Sequence, residues 1–331
     1  MANFRFFEQK GWILSLRHAG AWMLCFSFFY LVPLELANLA WEKTPEGLWR
    51  LGEDGSGSIG YSWQYTGWIG VSLVGSLLFL LTGIISGFFW ERKSIAQPFR
   101  LQDVIYYFAW VQFLTLLFLI FYYAMVPVDI VQGNAGGPIG LIAPFFPHLL
   151  MLGVSLIVFR NRLAALGFMW LSWRKAGVAL AVILILYVMM FFFLDSWITH
   201  PVAKWFNLDL QSWREESITE GIRLASRQGW IPVILQVSFL SVIGPVAEEV
   251  LFRGVLLRGM MQKMHAGFSV FLSALLFSLF HVDVVYLAPL FVMGLILGGL
   301  YVWFGNLWVP VLFHIINNGV SVAMDLFHHS Y

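Results

Sequence analysis

Long apolar runs, broken by short charged or Gly/Pro-rich segments, set the pattern of this chain. Counted as membrane spans of about 20 residues each, the runs predict nine. They are Trp12–Trp41, Thr66–Trp90, Val104–Val128, Pro138–Phe159, Gly177–Ile198, one starting near Ile231, then Gly267–Phe280, Val284–Phe304 and Leu307–Phe327. The first is impure, with Arg17, His18 and Glu35 inside it, and no small-residue cleavage site follows, so it reads as a retained anchor rather than a signal peptide. Two segments fall outside the spans. Arg160–Lys175 carries apolar residues at helical spacing between basic ends and is expected to lie along the cytoplasmic surface. His200–Trp230 is the most polar stretch and is expected to hold an amphipathic helix outside the membrane.

The expected fold is therefore all-α, a polytopic membrane protein with about eight to nine transmembrane helices. It divides into an N-terminal membrane region of about four spans, residues 1–176, and a C-terminal region, residues 177–331. No internal repeat is visible. Composition agrees: of 331 residues, 60% are hydrophobic, 18% aromatic and only 11% charged. A water-covered domain usually carries about 25% charged residues, so a soluble globular protein is excluded. A net charge of +1 gives nucleic acid nothing to bind. One cysteine, Cys25, excludes an intrachain disulfide and a cysteine-rich metal knuckle.

Lys and Arg mark the cytoplasmic loops. They gather at the N-terminus (Arg5, Lys10, Arg17), in the second loop (Arg92, Lys93, Arg100) and in the fourth (Arg160, Arg162, Arg174, Lys175). The intervening loops are acidic or neutral, with Glu42, Glu46, Glu53 and Asp54 in the first and only Asp129 in the third. The N-terminus is thus expected in the cytoplasm of a prokaryotic plasma membrane.

Some signals carry little. Gly55–Gly60 matches the dinucleotide fingerprint literally, but it follows an acidic loop and precedes a span, so it reads as a flexible connection. The pairs Gly83/Gly87 and Gly294/Gly298 read as packing devices between helices, with a role at the site as the lesser alternative for the second pair. His18, His148 and His265 stand alone and read as interfacial or satisfied polar groups; His328 and His329 have no partner in the pattern. No His-Glu-x-x-His, intramembrane Gly-x-Ser-Gly or Gly-x-Gly-Asp occurs, which argues against zincin, rhomboid-like and presenilin-like sites.

The sixth span differs. It reads Gly244-Pro-Val-Ala-Glu248-Glu249-Val-Leu-Phe-Arg253-Gly254. An acidic residue at the centre of a membrane helix costs about 2.5–3.5 kcal/mol, and two together repel. Arg253, four residues after Glu249, shares its face, so these two are expected to pair and leave Glu248 free to take or give a proton. Further on, Phe277-x-x-x-His281 ends the seventh span, and His314-x-x-x-Asn318 puts two polar groups on one face of the ninth. Such groups in apolar segments meet one another or a wet cavity. The residues alone leave three readings open: a polar plug that fixes packing, a transport site, or a catalytic centre.

The three motifs, in this order and with these gaps, resemble the CAAX prenyl protease and bacteriocin-processing (CPBP, or Abi) family, and through it the Ras-converting CAAX endopeptidase. The resemblance covers about 177–327; the N-terminal half resembles nothing nameable. It implies an intramembrane endopeptidase acting on a membrane-associated peptide or protein, including lipid-modified ones, near the C-terminus. In that reading Glu248 and His281 activate water, His314 and Asn318 hold the oxyanion, and Glu249, Arg253 and Phe277 support them. Cofactors stay unknown: Glu248, His281 and His314 could bind zinc, yet the ligand types also suit a metal-free glutamate mechanism, which is narrowly preferred. The rivals are a non-catalytic membrane scaffold or bacteriocin-immunity protein and, behind it, a small-molecule transporter. The turn after Glu248 falls near Met264, beside Arg258 and Lys263, which places the site nearer the outer face by the Lys/Arg rule. The eukaryotic relatives work from the cytosolic side, so the sequence leaves the facing side open.

Overall fold

The computed structural model describes residues 2–51, 63–85, 99–125 and 142–329. The Gly55–Gly60 segment, Gly87, Arg92, Lys93 and Asp129 lie outside the described residues. The rest is almost wholly helical: α1 Ala2–Ala37, α2 Trp63–Ile85, α3 Leu101–Met125, α4 Phe146–Phe159, α5 Trp173–Phe206, α6 Trp213–Gln228, α7 Trp230–Met260, α8 Ala266–Phe280, α9 Leu287–Phe304 and α10 Trp308–His329. A two-stranded antiparallel hairpin, β1 Trp41–Lys43 and β2 Trp49–Leu51, links α1 to α2. Seven of the described helices are long and apolar enough to cross a membrane. Two apolar stretches are shorter, Ala143–Phe159 (a tight turn running into α4) and Ala266–Phe280 (α8). The chain is a polytopic, all-α integral membrane protein.

Two prolines shape the long helices. A proline lacks the N–H of a helical rung, and its ring crowds the carbonyl four residues back. In α7 a widened turn, Phe239–Ile243, precedes Pro245 and gives that carbonyl room; in α5 the widened turn Asp195–Thr199 precedes Pro201 in the same way. A second widened stretch of α7 runs from Val250 to Leu257. Glu248 and Glu249 thus sit on one short, regular piece of helix between two irregular ones, an arrangement frequent at functional sites.

The segment 160–175 does not form the continuous helix that its spacing suggests. It makes one tight turn, Leu163–Leu166, which ends at Gly167 with φ +102°. Leu166 and Arg162 are buried, and Arg162 meets Asp103 at 3.3 Å. Of its apolar residues Leu166 is buried and Phe168 and Leu171 are half-buried, whereas Leu163, Met169, Trp170 and Trp173 are exposed. The polar segment behaves as expected: α6 is amphipathic, and the Ser212 hydroxyl caps it by accepting the Glu215 N–H.

One core runs through both regions of the chain. Phe28 of α1 meets Phe108 of α3 at 4.9 Å and Phe280 of α8 at 5.3 Å, and Phe252 of α7 meets Phe280 at 5.6 Å. Small residues set the closest approaches. A Cβ on Gly20 would lie 2.9 Å from the Phe79 nitrogen, which seats α1 on α2, and one on Gly294 would lie 2.9 Å from Cα of Ala274, which seats α9 on α8.

Candidate active site

Arg253 and Glu249 form the foundation. Both are fully buried, and Arg253 Nη1 donates to Glu249 Oε1 at 2.7 Å, the pairing that the four-residue spacing predicts. The guanidinium also donates to the Gly294 carbonyl at 3.2 Å and lies 4.5 Å over the Phe277 ring. The Gly294/Gly298 pair therefore does more than pack: close approach at Gly294 brings a backbone acceptor to the arginine.

His314 extends the chain of charge. Its Nδ1 lies 2.9 Å from Glu249 Oε1, and its Nε2 lies 3.9 Å from Glu248 Oε2. It is nearly as buried as the pair it joins. His281 reaches the same carboxylate from α8. Its Nδ1 is 2.7 Å from the Phe277 carbonyl, an acceptor only, so Nδ1 carries the proton and Nε2 is left bare, 3.9 Å from Glu248 Oε2. Phe277 thus serves His281 with its carbonyl and with its ring, whose centroid is 4.6 Å from the imidazole, and it also meets His314 edge-on at 5.9 Å.

Glu248 is not free, as the pairing argument alone expects. His148 of α4 places Nε2 at 3.4 Å from Glu248 Oε1. Three imidazoles from three other helices therefore surround one carboxylate. Gaps of 3.9 Å exceed a hydrogen bond and match the span of a bridging water or a reacting oxygen. Sequence reasoning set His148 aside because nothing in its own surroundings is polar; the Pro147 that opens α4 is the only local signal. The stacking of Phe145 on Phe239 at 4.8 Å brings α4 against α7.

Asn318 lies one turn beyond His314, on the same helix face, but its amide is engaged elsewhere. Its Nδ2 donates to the Leu240 carbonyl in the widened turn of α7 at 3.3 Å, and its Oδ1 accepts from Asn317 at 3.3 Å. Among the described residues no three His, Cys, Asp or Glu side chains form a cage for one metal ion. The imidazoles as placed converge on a carboxylate rather than on a common point.

The loop after His281 is held by α6. Val282 adopts φ +50°, a conformation that a β-branched residue rarely takes. The surrounding bonds hold it there. Asp283 is buried, accepts the Ser212 hydroxyl at 2.5 Å, and accepts the N–H groups of Val285 and Tyr286. The Tyr286 hydroxyl donates to Glu215 at 2.9 Å; burial, then that carboxylate, pushes the phenol up, so it stays a donor at physiological pH. The residue that caps α6 therefore also holds the loop that carries His281.

Residues 230–320 match the family model described as type II CAAX prenyl endopeptidase Rce1-like. This chain belongs to the Rce1-like CAAX prenyl endopeptidase family. Among curated relatives, the membrane-embedded CAAX protease MroQ of Staphylococcus aureus (strain USA300) is 32% identical over 114 residues, 33% of this chain and 44% of MroQ. YdiL of Bacillus subtilis (strain 168) is 30% identical over 96 residues, 29% of this chain and 38% of YdiL. YpbD of the same organism, an uncharacterized protein, is 32% identical over 157 residues, 46% of this chain and 69% of YpbD. The chain thus spans well under half the length of YdiL and of MroQ. No solved structure matches it. The Rce1-like region contains Glu248, Glu249, Arg253, Phe277, His281, His314 and Asn318, whereas His148 lies outside it.

Proposed function

We propose that this protein is an intramembrane endopeptidase that cleaves a membrane-associated peptide or protein near its C-terminus, with Glu248 as the base. The observation that carries the reading is one carboxylate surrounded by three imidazoles inside an apolar helical bundle. A packing plug has no need of that convergence.

In this reading a water sits between Glu248 Oε2 and the bare Nε2 of His281. Glu248 takes its proton, the oxygen attacks the peptide carbonyl, and the C=O electron pair moves to the oxygen. His314 Nε2 and Asn318 Nδ2 donate to that oxyanion. For His314 this requires the imidazolium, since its Nδ1–H is already spent on Glu249. For Asn318 it requires a side-chain rotation away from the Leu240 carbonyl. When the intermediate collapses, the C–N bond breaks and the leaving amine takes the proton from Glu248. Glu249, Arg253 and Phe277 hold the two histidines. A lipid-modified substrate tail would stay in the bilayer beside the bundle.

Purified protein incubated with a panel of membrane-anchored peptides, with and without chelator and beside Glu248→Ala, tests this. Expected are cleavage that survives chelation and its loss in Glu248→Ala. Stoichiometric zinc that leaves and returns together with activity would overturn the metal-free version. Full activity in Glu248→Ala would remove Glu248 as base. No cleavage of any peptide would turn the reading towards a scaffold or immunity protein.

A further inference from the structure

The two ends of the helical bundle differ in charge and in closure. At one end lie Arg100, Arg160, Arg162, Arg258 and Lys263, with Arg174 and Lys175 beside Trp303 and Phe304. Contacts tie them to one level: Arg162 meets Asp103, Arg258 reaches the Tyr301 hydroxyl at 3.4 Å, and the Leu307 N–H donates to the Gly167 carbonyl. At the other end lie the β1–β2 hairpin, α6 and the loop after His281. Trp49 exchanges backbone hydrogen bonds with Asn207 and Asp209 at 2.6 and 2.8 Å, and Ser212 and Glu215 hold Asp283 and Tyr286. That end has cations as well, including Arg50 and Arg223, but they stand among Glu42, Glu46, Asp209, Glu215, Glu216 and Glu220, and Arg50 and Arg223 are paired there with Asp209 and Glu220.

The site is closed towards the basic end. From Glu249 to Leu257 every residue of α7 is buried, and Gly254 there abuts Leu166 and Leu307. On α10, Val309, Val311, Phe313 and His314 are buried. Towards the other end the pattern reverses. Beyond His314 the residues from Ile315 to Val320 are all partly exposed, Asn317 and Asn318 among them; on α7, Glu248, Val246, Ile243 and Val242 are exposed to some degree on that side, with Gly244, Pro245 and Ala247 buried between them. The short helices agree. α8 runs from the basic turn at Lys263 and stops at Phe280, so His281 stands where the helix gives out, and α4 begins close to His148. Both fall short at the same end, and both bring a histidine to Glu248 there.

We infer that the site opens at the end carrying α6 and is sealed at the end carrying the basic loops. Lys/Arg-rich short loops stay in the cytoplasm. The opening therefore faces away from the cytoplasm, and the substrate is a peptide segment presented on the extracytoplasmic side, entering beneath α6. The substrate class rests on the peptidase reading; the face does not.

Labelling in intact cells tests the face without any activity. Cys25 is buried and is replaced, Cys25→Ala, as the background. Ser217→Cys on α6, Lys263→Cys in the turn before α8 and Asn317→Cys on the partly exposed stretch of α10 are then treated with a small, charged, membrane-impermeant thiol reagent. Expected is reaction of Ser217→Cys and Asn317→Cys from outside, and of Lys263→Cys only after permeabilisation. The reverse pattern would overturn the inference, as would an Asn317→Cys reached only from inside. In proteoliposomes sorted by the same labels, membrane-anchored peptides are then displayed on one side at a time. Cleavage confined to the α6 side supports the substrate class, and cleavage on the basic side overturns it. Absence of cleavage on both sides counts against the peptidase reading alone, since labelling has by then decided the face.

Discussion

His148 Nε2 lies 3.4 Å from Glu248 Oε1, across 100 residues of chain. It is the one imidazole around this carboxylate that comes from outside the Rce1-like region. A hydrogen bond to a charged group contributes about 1.5–3 kcal/mol, or roughly ten- to a hundredfold in rate if it orients the base. His148→Ala is expected to lower kcat by that factor while KM and melting temperature change little, and His148→Gln, which keeps an N–H donor, to recover part of it. A purely structural role would show the opposite: early melting with an unchanged rate per folded molecule.

Glu249 and Arg253 are fully buried and bonded at 2.7 Å, whereas Glu248 is partly exposed. Removing one partner of a buried pair leaves an uncompensated charge, at a cost of about 3–5 kcal/mol. Arg253→Ala and Glu249→Gln are therefore expected to melt well below the parent in detergent, and Glu249→Gln also to misplace His314. Glu248→Gln should stay folded and inactive. Thermal unfolding beside cleavage rate checks this, and the opposite pattern would exchange the roles of the two carboxylates.

The spans, the α6 amphipathic helix and the Glu249–Arg253 pair were legible because each rests on spacing within one element. A four-residue interval on a helix fixes a shared face whatever else the fold does. His148 was not legible, since its contact with Glu248 is made between helices, and a lone histidine next to Pro147 looks like any helix start. The 160–175 segment misled for a related reason. Apolar residues at helical spacing suggest a helix, but Gly167 at positive φ ends the one tight turn that forms, and Arg162 is drawn inward to Asp103. The engagement of Asn318 with Leu240 depends on a widened turn that only the position of Pro245 hints at.

Close approach at Gly294 carries both packing and a hydrogen bond to Arg253. A Cβ there would lie 2.9 Å from Cα and 3.0 Å from Cβ of Ala274, so α8 and α9 must separate to admit it. Overpacking of this kind typically costs about 1–3 kcal/mol. Gly294→Ala is expected to lower the melting temperature and to weaken activity through Arg253. Gly299, five residues on, meets nothing within 4 Å. Gly299→Ala should be neutral or stabilise by roughly 0.5–1 kcal/mol, the usual helix gain over glycine. Equal effects at the two positions would remove the close approach as the cause.

His314 and Asn318 share a face of α10, and in the proposed mechanism both donate to the oxyanion. Such a donor acts mainly in the transition state, so its loss lowers the rate far more than substrate affinity. Removing one typically costs roughly 2.7–4 kcal/mol, about a hundred- to a thousandfold in kcat. Asn318→Ala is therefore expected to bind a peptide nearly normally and to cleave it at least about a hundredfold more slowly. Asn318→Asp should be worse than its size suggests, because a carboxylate would face the developing negative charge. The contact with the Leu240 carbonyl supplies the competing outcome. If that bond is the whole purpose of Asn318, it merely joins α10 to the widened turn of α7, Asn318→Ala melts early, and cleavage falls only with the folded fraction. Cleavage rate, peptide binding and melting temperature on one preparation separate the two. A variant that melts early yet keeps its rate per folded molecule would end the oxyanion role for Asn318 and leave His314 as the only donor on this helix.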